Sequence, residues 1–177
     1  MVLRRDERKQ QLIEEGWREM VSTGSGLDTY VLERGNEVVR LGTDEGYDAY
    51  ADVVTGYRST PVDPHLPRIF AHERPAGPLT NEVPMSSGAN PPPVPYTETT
   101  LERLLPLDPD EAAAIDRWLA SEGLRNISTA PHGLAATITA LKAYLDENQS
   151  RQIGWDLQSK NAMKREDGTV VLIDPFC

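Results

Sequence analysis

Asp156, Asn161 and Asp174 place two carboxylates and an amide within the C-terminal stretch of the sequence. Asp167-Gly168, between the last two, is a dipeptide favoured in two-residue hairpin turns. With that turn, Glu166 faces Thr169, and counting outward sets Asn161 directly opposite Asp174. Opposed residues of an antiparallel pair share a face, with Cβ atoms roughly 5 Å apart. Asp156 precedes Asn161 by one short loop. Three oxygen-bearing side chains converging in this way suit Mg²⁺, which takes a few protein oxygens and fills its remaining positions with water and phosphate. Period-two alternation also puts Met163 and Leu172 on the face of Asn161 and Asp174, where an apolar pair would floor a nucleotide base. Taken singly, Asp156 reads as a turn cap, Asn161 as a left-handed bend and Asp174 as a hairpin closure. It is their joint spacing that points to chemistry.

The remaining chain must position that hairpin. Residues 4–22 read as a helix, with Ile13, Trp17, Met20 and Val21 forming one apolar stripe. Arg4, Arg5, Arg8 and Lys9 are interleaved with acids, as on a solvated helix face. Thr23-Gly24-Ser25-Gly26 breaks the helix. Leu27–Glu33 and Glu37–Leu41 then form a hairpin about Gly35-Asn36. A short helix is expected over 46–58, weakened by Gly56, and a brief strand over Arg68–His72. The Pro/Gly-rich stretch 74–95 carries seven prolines and reads as a long mobile loop. Tyr96–Leu105 resumes as a strand running into a connector. Asp108-Pro109-Asp110-Glu111 opens a helix, with Asp108 as cap, Pro109 at the first helical position and Glu111 closing a capping box. A further helix starts near Pro131, with Leu134, Ile138, Leu141 and Leu145 on its apolar face. Strands dominate the first half, helices follow, and a hairpin ends the chain. This order predicts a two-lobed α+β protein divided into 1–101 and 102–177.

Composition narrows the partners. The chain has 177 residues, 18 basic against 28 acidic, for a net charge of −10. Such a surface disfavours nucleic-acid phosphates and anionic lipid. The single cysteine, Cys177, excludes an intramolecular disulfide and Cys-based zinc sites. His65, His72 and His132 are too scattered for a His-rich metal site. No apolar run approaches the ~18 residues of a membrane span. The start of the chain lacks the apolar core of a signal peptide, so the expected location is the cytoplasm.

Asp156-Leu157, then Asn161, then an aspartate thirteen residues on at Asp174 resembles the catalytic loop and metal-binding motif of the protein-kinase-like superfamily, which includes the aminoglycoside phosphotransferases. The resemblance implies a compact kinase-like fold, with a β-rich N-lobe and a minimal helical C-lobe ending in the catalytic hairpin. It implies ATP and Mg²⁺ as cofactors. Asp156 would orient or deprotonate an acceptor hydroxyl, Asn161 and Asp174 would hold the metal, and Met163 would lie beneath the adenine. Gly24-Ser25-Gly26 resembles a shortened phosphate-covering glycine loop, and Val38-Val39-Arg40 the strand whose lysine contacts phosphate. Leu101-Glu102-Arg103-Leu104 resembles the hinge, whose backbone groups at Glu102 and Leu104 would meet the adenine edge. From the residues alone, Gly24–Gly26 read equally as a plain turn, and Arg40 almost equally as a solvated strand charge.

The pattern departs from the family in several places. Arginine replaces lysine at Arg40, Gly154-Trp155 stands where His-Arg is usual, and Pro175-Phe176 follows Asp174. The sequence also reaches Cys177 without an activation segment or the lower helices that seat a peptide acceptor. The first reading is therefore a phosphotransferase acting on a protein or small-molecule hydroxyl. The alternative is a pseudokinase-like module that binds a host or cellular protein, as a viral accessory protein would. With only the helices near 108–122 and 131–147 to cover the hairpin, Val171, Ile173 and Phe176 are expected to be partly exposed. A second copy of the chain or a host protein would then cover them.

Overall fold

The computed structural model describes residues 4–20, 29–56, 63–74 and 96–177. The chain is an α+β protein. It divides into two compact units, residues 1–43 with 70–101 and residues 44–69 with 102–177. Residues 44–69 group with 102–177, whereas the sequence reading divides the chain once, between 101 and 102.

The first unit opens with α1 (Arg5–Glu14), followed by β1 (Arg18–Glu19), β2 (Thr29–Arg34) and β3 (Glu37–Gly42). With β4 (Ile69–Glu73) and β5 (Thr97–Glu102), these strands form a sheet in the order β1-β2-β3-β5-β4. The helix expected over 4–22 stops eight residues early. Gly16 adopts φ +90°, and the N–H groups of Gly16 and Trp17 turn back to Ile13 O at 3.0 Å and Leu12 O at 2.9 Å. That pair of bonds closes a helix through a left-handed residue, which glycine adopts without a Cβ penalty. The apolar stripe changes accordingly. Leu12 and Trp17 are buried with Leu32, Val39, Leu41 and Tyr96, whereas Ile13 is exposed. Arg8 is not a solvated charge either. Its guanidinium grips both carboxylate oxygens of Glu98 at 2.8 and 2.7 Å, fastening α1 to β5. The β2–β3 hairpin turns at Gly35-Asn36 as expected, with Arg34 opposite Glu37 and Gly35 at φ +60°.

The second unit contains α2 (Glu45–Gly56), α3 (Pro109–Ser121), α4 (Ala135–Glu147) and a three-stranded sheet. The sheet strands are β6 (Leu105–Pro106), β7 (Ala162–Lys164) and β8 (Val170–Leu172), in that order. Tyr50, Ile115, Leu134, Ile138, Leu141, Leu172 and Phe176 fill its core. The box at the start of α3 forms, with Asp108 N–H donating to Glu111 Oε2 at 2.8 Å. Lys164 on β7 reaches the same two acids, Asp108 at 2.6 Å and Glu111 at 2.9 Å.

The segment 63–69 belongs to this unit because polar groups stitch it there. Thr137 Oγ1 donates to the Asp63 carboxylate at 2.8–2.9 Å. His65 Nδ1 lies 2.7 Å from Val170 O, and Leu172 N–H donates to His65 O at 3.0 Å. Arg165 bonds Leu66 O at 2.9 Å, Pro64 O, and both oxygens of Glu102 at 3.1 and 2.6 Å. The Arg165 and Glu102 side chains are only 14% and 12% exposed. Removing one partner of so shielded a pair leaves a buried charge, so Arg165→Ala should cost about 3 kcal/mol of stability. Urea denaturation would read this, and a loss below about 1 kcal/mol would show that the knot is dispensable.

The C-terminal hairpin differs from expectation by one residue. Arg165 N–H donates to Thr169 O and Gly168 N–H to Arg165 O, both at 3.0 Å. Gly168 sits at φ +85°. The loop is therefore the three residues Glu166–Gly168, a turn followed by a left-handed glycine, rather than the two-residue Asp167-Gly168 turn. Met163 consequently pairs with Val171, and Ala162 with Leu172. Ile173 N–H donates to Asn161 O at 2.9 Å, so Asn161 lies opposite Ile173 and not Asp174. A one-residue slip exchanges the faces of a strand. Met163 and Leu172 therefore do not form the shared floor expected from alternation. Val171 and Phe176 are 0% and 2% exposed and Ile173 is half-buried, so the partial exposure expected of the three holds for Ile173 alone. Among the described residues, the exposed large apolar side chains are Ile13, Phe70 and Leu105. No helix among these residues is long and apolar enough to cross a membrane.

Candidate active site

Asp156, Asn161 and Asp174 all lie in the second unit, at the open end of the β7–β8 hairpin. The strand register does not bring them together. A second antiparallel run outside the hairpin brings the main chain of Asp156 beside the segment that carries Asp174. Gly154 N–H donates to Cys177 O at 2.8 Å, Cys177 N–H to Gly154 O at 3.1 Å and Asp156 N–H to Pro175 O at 2.9 Å. Trp155 bridges Phe176. The loop between Asp156 and Asn161 is thus tied at its start to Pro175 and at its end to Ile173. Asp174 is the residue between those two ties.

The loop is shaped from within and from below. Asn161 N–H closes a 3₁₀ turn on Gln158 O at 3.0 Å. Asp116 on α3 accepts from Ser159, from its hydroxyl at 2.9 Å and from its N–H at 3.3 Å. Asn161 is buried, and its Nδ2 donates to Asp156 O at 2.6 Å and Asp156 Oδ2 at 3.0 Å. Both amide protons are spent on Asp156, so the oxygen Oδ1 is the end of Asn161 left to meet a cation. Gln158 Nε2 donates to Asp156 Oδ1, and Lys160 Nζ stands 3.9 Å from Asp156 Oδ2. Asp174 is half-buried, with Oδ1 shielded from solvent. An amide oxygen and a carboxylate are hard-oxygen donors, the type that Mg²⁺ takes alongside several waters and phosphate oxygens. Among the described residues, no three His, Cys, Asp or Glu side chains cluster as a metal cage.

No protein-family model matches the chain. No curated protein matches it. Solved structures show likeness to the chain, two WbdD chains among them. One is the bifunctional kinase-methyltransferase WbdD, at 15% identity and a TM-score of 0.43, over 91% of this chain and 33% of that one. The other is monomeric WbdD, at 14% identity and a TM-score of 0.38, over 89% and 35%. The chain spans about a third of the length of these WbdD chains.

The other residues marked in the sequence fall in both units or outside the described residues. Gly24, Ser25 and Gly26 lie outside the described residues. Arg40 is in the first unit, on β3 opposite Val31, with its guanidinium folded against Gly42. The Glu102 carboxylate is engaged by Arg165, and its N–H donates to Arg68 O at 3.0 Å, so a hinge contact there falls to its carbonyl. Leu104 is buried. Met163 is half-buried in the centre of the small sheet, between Pro106 and Val171.

Two residues near the site gave no sequence signal. Asp116 is an acid on an amphipathic helix, indistinguishable by type from Asp110 or Asp146, and only its bond to Ser159 marks it. Tyr50 reads as an ordinary core aromatic. Its hydroxyl, however, donates to Leu172 O at 2.6 Å from a fully buried ring.

Proposed function

We propose that the chain is an ATP- and Mg²⁺-dependent phosphotransferase of kinase-like fold that moves the γ-phosphate to a hydroxyl acceptor. The observation that carries this reading is the Asp156–Asn161 bond at 3.0 Å, in a loop tied at both ends to the backbone flanking Asp174. A loop fixed in this way before substrate arrives supports the reading, because positional catalysis requires a base and metal ligands held on a set backbone. Asp156 receives the acceptor hydroxyl and takes its proton as the new O–P bond forms. The bond from the γ-phosphorus to its bridging oxygen breaks, and ADP leaves. Asn161 Oδ1 and the Asp174 carboxylate would hold the metal, which when bound would offset charge on the phosphates. The phosphate role of Gly24, Ser25, Gly26 and Arg40, the hinge role of Glu102 and Leu104, and the adenine contact of Met163 enter this proposal through the sequence resemblance.

Calorimetry with ATP, with and without Mg²⁺, tests the reading. Binding should strengthen at least about tenfold when the metal is present, because one amide and one carboxylate then share the phosphates' counter-ion. A chain that binds no nucleotide at millimolar ATP and Mg²⁺ is not a phosphotransferase of this kind.

One observation favours the pseudokinase-like alternative. Gln158 and Asn161 each donate to one oxygen of the Asp156 carboxylate, so an acceptor hydroxyl must share an oxygen whose basicity an amide proton already lowers. ATP binding with no transfer to any acceptor in a broad screen, in the wild type and in Gln158→Ala alike, would decide for that alternative.

A further inference from the structure

We infer that Tyr50 is a positioning residue for Asp174, acting through the main chain on either side of it. This rests on the phosphotransferase reading, in which Asp174 is a metal ligand. Tyr50 lies in α2 with its ring fully buried, and its hydroxyl donates to Leu172 O at 2.6 Å. The same ring meets Phe176 edge-on, with centroids 5.7 Å apart and planes at 81°. Leu172 and Phe176 stand two residues before and two residues after Asp174. One side chain therefore grips both shoulders of the proposed ligand.

The grip is fixed rather than adaptable. Phe176 is also flanked by Trp155, edge-on at 5.7 Å, and by Tyr144, stacked at 6.2 Å. Gly46, one turn earlier on α2, brings helix backbone against the chain just beyond. A Cβ at Gly46 would stand 2.8 Å from the Cα of Cys177. The helix thus touches the segment around Asp174 at Leu172, Phe176 and Cys177. A phenylalanine at position 50 would fill the same volume, and a buried hydroxyl is costly unless bonded. Its single geometry with Leu172 O sets how β8 is carried into Asp174. Burial first, and then the neighbouring Tyr47, Asp174 and Asp63, push the Tyr50 phenol well above the ordinary tyrosine range. It therefore stays a donor at neutral and mildly alkaline pH.

Tyr50→Phe deletes only the hydroxyl and tests the assignment. The variant should unfold cooperatively and bind ATP without metal as the wild type does. Its half-saturating Mg²⁺ for ATP binding should rise about fivefold to tenfold, the effect of one lost hydrogen bond felt at the ligand. Direct Mn²⁺ binding, followed by paramagnetic resonance in the presence of ATP, should weaken by the same factor. Amide hydrogen exchange at Ile173, Asp174 and Phe176 should accelerate. A variant that is less stable but unchanged in Mg²⁺ and Mn²⁺ dependence would make Tyr50 a core residue only and overturn the inference, leaving the phosphotransferase reading intact. A wild type whose ATP binding ignores Mg²⁺ would remove both. If Tyr50→Phe does not fold, Phe176→Leu reads the same grip from its other side, and an unchanged metal dependence there would overturn the inference equally.

Discussion

Asp156→Asn should transfer phosphate about a thousandfold more slowly than the wild type while binding Mg²⁺ and ATP with unchanged affinity. The magnitude is that of losing a positioned base at a reacting hydroxyl, about two to four orders of magnitude. The amide is nearly the same shape as the carboxylate and still offers an oxygen to Asn161 Nδ2, the bond now made at 3.0 Å. The ties from residue 156 N–H to Pro175 O and from Asn161 Nδ2 to residue 156 O both end on the main chain of residue 156, so a change of its side chain removes neither. The loop should therefore keep its form, and only the proton acceptor is lost. Single-turnover measurements with saturating ATP would show the fall in the chemical step, and calorimetry the constant affinity. This combination marks a group that acts chiefly in the transition state. Equal rates in the two proteins would remove Asp156 from the chemistry. A parallel loss of ATP affinity would mean that its carboxylate serves the metal instead.

The elements legible in the sequence were those decided by neighbours along the chain. The start of α3 depends on Asp108, Pro109 and Glu111, all within one turn, and it forms as read. The α4 stripe of Leu134, Ile138 and Leu141 is buried as its spacing requires. The end of α1 was misread because Trp17 satisfies two patterns at once. It fits a helical repeat after Ile13, and it fits the apolar residue that follows a left-handed glycine closing a helix. Only the conformation of Gly16 chooses between them.

The Asp167-Gly168 pair has the same ambiguity. An aspartate that accepts from the N–H two residues on, here Thr169 at 2.9 Å, suits a three-residue loop as well as a two-residue one. That choice moved every pairing in the hairpin by one. Asp156 comes near the segment of Asp174 through a different contact. Residues 154–156 run antiparallel to 175–177, a pairing between segments some twenty residues apart that no local pattern announces. Tyr50 and Leu172 are 122 residues apart, so their bond was further still from view.

Asp174→Ala should abolish the Mg²⁺-dependent part of ATP binding and reduce transfer below detection, while leaving the hairpin folded. The last point follows from which atoms hold the segment. Ile173 is held by its N–H to Asn161 O, Pro175 by its carbonyl to Asp156 N–H, and Phe176 by three aromatic neighbours. None of these contacts uses the Asp174 carboxylate. Deleting it removes the carboxylate proposed to hold the metal, and an amide oxygen alone holds Mg²⁺ poorly. Calorimetry should then give the same ATP affinity with and without Mg²⁺, about tenfold or more below that of the metal-bound wild type. Asn161→Ala makes the informative comparison. It also deletes a metal oxygen, but it frees the Asp156 carboxylate from its 3.0 Å bond, so metal dependence and the chemical step should weaken together. If Asp174→Ala retained the full response to Mg²⁺ with its fold intact, the metal would lie elsewhere, and the hairpin end would be a structural junction rather than a catalytic one.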